Sequence, residues 1–108
     1  MQQLKTFGAG SLRISDEPIV VASALSTVTW LRFIKKVETS VSITLVYRKG
    51  TGARVLLLPV NFVFTVDMFM LDFFPDDGSI TLNAGDSLYC SCSQNNAIDY
   101  IATGYESL

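Results

Sequence analysis

Apolar and polar residues alternate with period two along much of this chain, and clusters of turn-forming residues interrupt the alternation about every ten residues. The stretch 40–48 (SVSITLVYR) is the plainest case. Val41, Ile43, Leu45 and Tyr47 fall on one face and Ser42, Thr44 and Arg48 on the other. Lys49, Gly50, Thr51 and Gly52 follow as a hairpin turn, with two glycines able to take positive φ. The closing stretch 79–106 reads as three short strands joined by two tight turns, a hairpin array. Ile80 and Leu82 face in. Asn83, Ala84, Gly85 and Asp86 turn, with the Asp86 carboxylate accepting backbone N–H groups. Leu88, Cys90 and Cys92 face in against Ser87, Tyr89, Ser91 and Ser93. Gln94, Asn95 and Asn96 turn again, and Ile98, Tyr100 and Ala102 share a face.

The first half is less regular. Residues 2–7 predict a short edge strand broken by Gly8, Gly10 and Ser11, and Pro18 forbids helix at Glu17 in a turn over 15–18. Ile19, Val20 and Val21 form a short apolar strand, and 22–25 is too short for a stable helix. In 27–37 both faces are mixed, and Arg32, Lys35 and Lys36 suggest an end near solvent. The whole predicts an all-β chain: a single antiparallel β-sandwich or jelly roll of about eight short strands over residues 1–108, with 1–18 a possible N-terminal arm or edge strand.

Residues 55–74 (VLLLPVNFVFTVDMFMLDFF) depart from simple alternation. They are apolar on both faces, but Pro59, Asn61, Asp67 and Asp72 interrupt them. An Asp at a bilayer centre costs roughly 2.5–3.5 kcal/mol, and Phe and Val favour strands, so two buried strands are expected, not a membrane span. Pro59 should end a pairing or mark a bulge, and Pro75, Asp76, Asp77 and Gly78 form the next turn. Phe62, Phe64, Met68, Phe69, Met70, Leu71 and Phe73 make this stretch the candidate interface for a second copy or a partner; a central strand of the core is the alternative.

Composition sharpens that choice. The chain is 49% apolar and 17% charged, against a usual charged share near ~25%. A small domain has much surface for its volume, so either some apolar material stays exposed for an oligomer or the core is unusually full. Charge is unevenly spread. Up to Arg54 there are eight basic and three acidic residues; beyond it there are seven acidic and no basic ones. The subunit is therefore bipolar and able to stack head to tail, or the two halves interleave and the charges mix.

Little of the chain predicts catalysis. There is no His, and the Ser residues lack an evident base. Cys90 and Cys92 lie two apart on one strand, so a disulfide between them would deform it, and a metal there would need ligands the chain does not offer; free buried thiols are expected. Asp76 and Asp77 read as turn formers. Asp76, Asp77, Asp86 and Asp99 could gather round Ca²⁺ only if their turns lie at one end. No metal or other cofactor is expected. Trp30, Arg32, Phe33, Lys35 and Lys36 form the one basic and aromatic cluster, but the net charge of −2 argues against nucleic acid. Tyr89, Tyr100 and Tyr105 could offer a sugar-stacking surface. The N-terminal residues lack signal-peptide character, which with reduced thiols fits synthesis in the cytoplasm.

The run IxLNAGDSLxxxxSxxNAIDYxxxGYE is carried by Ile80, Leu82, Asn83, Ala84, Gly85, Asp86, Ser87, Ser93, Asn96, Ala97, Ile98, Asp99, Tyr100, Gly104, Tyr105 and Glu106. It resembles the C-terminal end of small β-sandwich structural proteins of tailed bacteriophages. A weaker likeness extends upstream through 27–54. The resemblance implies a non-enzymatic virion component, synthesised in the host cytoplasm: a capsid decoration or cement protein, or a neck or tail adaptor. Its expected partners are itself, as a homo-oligomer such as a trimer, and other virion proteins such as the major capsid protein, with no nucleic acid or membrane. A carbohydrate-binding module is the more distant alternative.

Overall fold

Strand pairing is nested around the hairpin at Lys49 and Gly50. The computed structural model describes residues 2–50, 52, 54–57, 62–73 and 80–107. It contains β1 (Gln2–Ser11), β2 (Glu17–Val21), β3 (Ser26–Lys35), β4 (Val41–Arg48), β5 (Arg54–Leu56), β6 (Phe62–Phe64), β7 (Met70–Phe73), β8 (Ile80–Leu82), β9 (Ser87–Cys92) and β10 (Ile98–Ser107). Working outward from the hairpin, β4 pairs with β5 and β6, β3 with β7 and β8, β2 with β9, and β1 with β10, all antiparallel. The first half of the chain thus runs beside the second. This long double strand then rolls up: β10 also pairs with β3, and β9 with β4. The result is two sheets, β1-β10-β3-β7/β8 (sheet A) and β2-β9-β4-β5/β6 (sheet B). If β5 with β6, and β7 with β8, each count as one interrupted strand, this is the order of an eight-stranded jelly roll.

The closing stretch is therefore not a hairpin array. β8 and β10 belong to sheet A and β9 to sheet B, so both turns carry the chain from one sheet to the other. Alternation fixed the face of each strand and left its partner open. Nested pairing also settles the charge pattern, because first-half bases are laid against second-half acids. Lys5 pairs with Glu106 (2.7 Å), Arg32 with Asp72 (2.7 Å) and Lys36 with Asp99 (2.8 Å), so the charges mix and the subunit is not bipolar.

Glycines permit two close approaches. β1 runs straight through Gly8 and Gly10 as the edge strand of sheet A. At Gly8 a bulge brings β1 against β2, and a Cβ there would lie 2.3 Å from the Ile19 carbonyl oxygen. Gly104 sits in a second bulge, where β10 lies against its antiparallel partner β3 with no room for a side chain. That bulge shifts the inward face of β3 from Val28 to Leu31, Phe33 and Lys35, which is why both faces of this segment look mixed in sequence. Leu31, Phe33, Ile98 and Ala102 of sheet A and Ile43, Leu45, Phe64, Leu88 and Cys90 of sheet B share one buried core.

Candidate interaction surface

Among the described residues, both sheets are open on the same side. Their strand orders run in the same direction, and β1 lies against β2, so the β7/β8 edge of sheet A stands over the β5/β6 edge of sheet B. Among the described residues these four strands pair on one side only, leaving backbone donors and acceptors free along the other. Exposed apolar side chains gather here. Val55, Leu56, Val63, Val66, Phe69 and Met70 each expose about half their surface or more, and Ile34, the cross-strand partner of Met70, is exposed beside it.

The sequence-predicted interface residues divide across this side. Phe69 and Met70 are exposed on it. Phe62, Met68 and Leu71 are half-buried and pack against the core. Phe64 is fully buried, its ring edge-on to Phe62 at 5.9 Å, so it belongs to the core and not to a contact surface. Phe73 pairs with Leu31. Pro59 and residues 74–79, with their expected bulge and turn, lie outside the described residues. The two buried strands expected over 55–74 are instead three short edge strands with outward apolar side chains. Val55, Leu56, Val63 and Val66 fall within the expected 55–74 stretch without having been singled out in it, and Ile34 lies outside it. Val63 could have been found, since it alternates with Phe62 and Phe64.

A buried lysine holds this surface in place. Lys35 faces inward at the end of β3, only 3% exposed, contrary to its expected solvent position. Its ammonium donates to the carbonyl oxygens of Thr65 (2.6 Å), Thr39 (3.0 Å) and Val66 (3.3 Å) and lies 4.8 Å from the Phe69 ring centroid. Its backbone N–H donates to the Phe69 carbonyl (2.8 Å). One side chain thus ties the β6–β7 connection, with Val66 and Phe69, to the body of the sandwich.

No family model, curated protein or solved structure matches the chain.

The other cations of the basic and aromatic cluster are engaged. Arg32 grips Asp72 through Nε (2.7 Å) and Nη2 (3.0 Å), Trp30 Nε1 donates to the same carboxylate (3.1 Å), and the guanidinium stacks 4.8 Å from the Trp30 ring centroid. The Arg32 hydrogen bonds hold the Asp72 carboxyl below its ordinary range. Asp86 is buried and accepts from the backbone N–H of Asn83 (3.0 Å) and Gly50 (3.0 Å) and from the Tyr47 hydroxyl (2.9 Å). It pins the β4–β5 hairpin to the β8–β9 turn, and these bonds, that of Asn83 foremost, lower its pKa. Asp99 is lowered by Lys36 and then Ser11.

All three carboxyls titrate lower in the folded state, so the stability they contribute is complete above the unfolded carboxylate value and lost as pH falls through the folded values. Melting temperature should hold level from neutral pH to about 5 and fall steeply below about 4; the fall should be shallower in Asp86→Asn, as followed by circular dichroism. Of the four candidate Ca²⁺ ligands, Asp86 and Asp99 have separate partners and Asp76 and Asp77 lie outside the described residues; among the described residues no three His, Cys, Asp or Glu side chains converge.

The thiols are inert packing groups. Cys90 and Cys92 are free and buried, and burial pushes the Cys90 thiol up to about 12. Neither should react with an aromatic disulfide reagent at pH 8 until the protein unfolds; fast labelling of native protein would contradict their placement. The raised value adds alkali sensitivity. The contribution of Cys90 is complete below its unfolded value of 9.0 and is lost as pH climbs toward 12. Beside Cys90, a cleft of about 20 Å³ between Ile19 and Tyr100 has room for one water and nothing larger. The three tyrosines do not share a surface: Tyr89 is on sheet B, Tyr105 lies on sheet A, and Tyr100 turns toward the cleft.

Proposed function

We propose that this protein is a non-enzymatic structural component of a tailed-phage virion, a capsid decoration or cement protein that self-associates and binds the shell. The observation that carries the reading is the open side of the sandwich. Two stacked sheet edges, whose outer backbone groups are free among the described residues, adjoin Phe69, Met70, Ile34, Val63 and Val66. An antiparallel edge strand is self-complementary, since two copies related by a two-fold axis satisfy each other's backbone groups while their apolar side chains meet. A second copy of the chain is therefore the occupant. Covering ~800 Å² per partner at ~25 cal/mol per Å² gives about 20 kcal/mol gross, most of it offset by lost rigid-body freedom and polar desolvation.

The virion setting rests on the likeness of the 80–106 run. The jelly roll is compatible with it but serves capsids, lectins and enzymes alike, so the fold supports the reading without selecting it. Cosedimentation with expanded tailed-phage shells tests the setting. Saturable binding at a stoichiometry fixed by the lattice is expected. No binding to shells, or binding to isolated necks and tails alone, would overturn the decoration role.

A further inference from the structure

The outer face of sheet B carries a pair of arginines whose arrangement the self-association of the open side leaves unexplained. Arg48 and Arg54 are directly opposite each other on β4 and β5. Like charges facing across two strands are destabilising. Yet both guanidiniums converge on one aromatic ring: Arg48 Cζ lies 5.7 Å, and Arg54 Cζ 5.4 Å, from the centroid of Tyr89 on β9. Asp16 pairs with Arg54 and neutralises that charge. Arg48 has no salt-bridge partner among the described residues, and its Nε is buried with no hydrogen-bond acceptor. A buried guanidinium donor without an acceptor is costly, and two arginines held together by a tyrosine supply donors in the planar arrangement that an oxyanion matches.

We propose that Arg48, Arg54 and Tyr89 form a binding site for a carboxylate of a protein partner. Asp16 already shows the mode of recognition on Arg54, and the incoming carboxylate takes the outer Nη donors of Arg48, whose Nε is buried beneath them. The surroundings favour a protein side chain over a free anion. Val46 lies between Tyr89 and Leu56 in the strand register, Val21 lies in the neighbouring row, and both Leu56 and Val21 are exposed. An arginine and tyrosine centre flanked by apolar side chains is the composition of an interface hot spot. The site is on the outer face of sheet B and reaches its β5 edge through Arg54 and Leu56, and its existence does not depend on the virion reading.

The test is a titration of the folded chain followed through the arginine Nε–Hε resonances. A capped tetraglutamate peptide and inorganic phosphate serve as probes at matched ionic strength. The Arg48 signal should shift saturably with the peptide, and at least tenfold higher concentration of phosphate should be needed. Arg48→Gln should abolish the saturable shift of the Tyr89 ring signals, and Arg54→Gln should weaken it, with the remaining spectrum unchanged. Non-saturating shifts with both probes, equal or tighter binding of phosphate, or an unaltered peptide response in Arg48→Gln would overturn the proposal. The wild-type titration decides the matter even if a variant fails to fold.

Discussion

Gly104→Ala should be among the most destabilising single substitutions in this protein. An added Cβ would stand 1.9 Å from the Thr27 carbonyl oxygen and 2.9 Å from both the Thr27 carbonyl carbon and the Val28 Cα. All three are backbone atoms of β3, so no rotamer change relieves the overlap. The strands must part, and β10 is central to sheet A, paired with β1 on one side and β3 on the other. The cost should be about 3–5 kcal/mol, a large share of the 5–15 kcal/mol that holds a small domain folded. At roughly 4–8 °C per kcal/mol, the melting temperature should fall by more than about 12 °C. Gly10→Ala is the control. Its Cβ would meet only the Tyr100 ring at 3.7 Å, an ordinary contact, and the change should stay within about 0.5 kcal/mol. Comparable melting of the two variants would mean that β10 and β3 do not approach as closely as described.

Lys35→Met is the second large effect, and its outcome is local as well as global. Methionine fills similar volume but donates nothing, so the carbonyls of Thr39, Thr65 and Val66 lose their shared donor. Replacing a buried charge with an apolar group can be neutral when its partners go with it; here the acceptors remain. A loss of about 2–4 kcal/mol is expected, moderated because the loop can open and return its carbonyls to water. Hydrogen exchange should locate the opening. The amides of Lys35 and Met68, which donate to Phe69 and Thr65, should lose protection while those of β9 and β10 keep it. Lys36→Met removes a half-exposed pair with Asp99 and should cost about 1 kcal/mol or less. Equal effects of the two lysine substitutions would contradict the burial of Lys35.

These two residues also mark where the sequence stopped being legible. The faces of β4 and β9 were readable because Val41, Ile43 and Leu45, like Leu88, Cys90 and Cys92, alternate cleanly with polar neighbours. The hairpin after β4 was readable from its glycines, and Gly50 has a φ of 56°. Strand partners were not readable, because a period of two specifies a face and not a neighbour. Gly8 looks like a break and Gly104 passes unnoticed, since the need for a missing side chain comes from a strand distant in sequence. Lys35 was misplaced for a different reason. Its position two after Phe33 puts it on the inward face, but its charge argued for solvent, and the carbonyls that accept its hydrogen bonds come from segments no local pattern connects to it. The candidate surface was partly legible. Phe69 and Met70 stood out as apolar excess, whereas Phe64 belongs to the same excess and fills the core.

Sedimentation velocity of wild type and Met70→Lys over a range of concentrations tests the self-association most directly. Met70 is about half exposed on the β7 edge, so a lysine there should leave the monomer fold intact while placing charge where two copies would meet. The wild type is expected to sediment as a closed oligomer, and Met70→Lys as a monomer that keeps the wild-type circular dichroism spectrum, its melting temperature lowered only by the lost association. A wild-type monomer at every concentration, or a Met70→Lys oligomer indistinguishable from wild type, would contradict the assignment of the open side as the contact between copies.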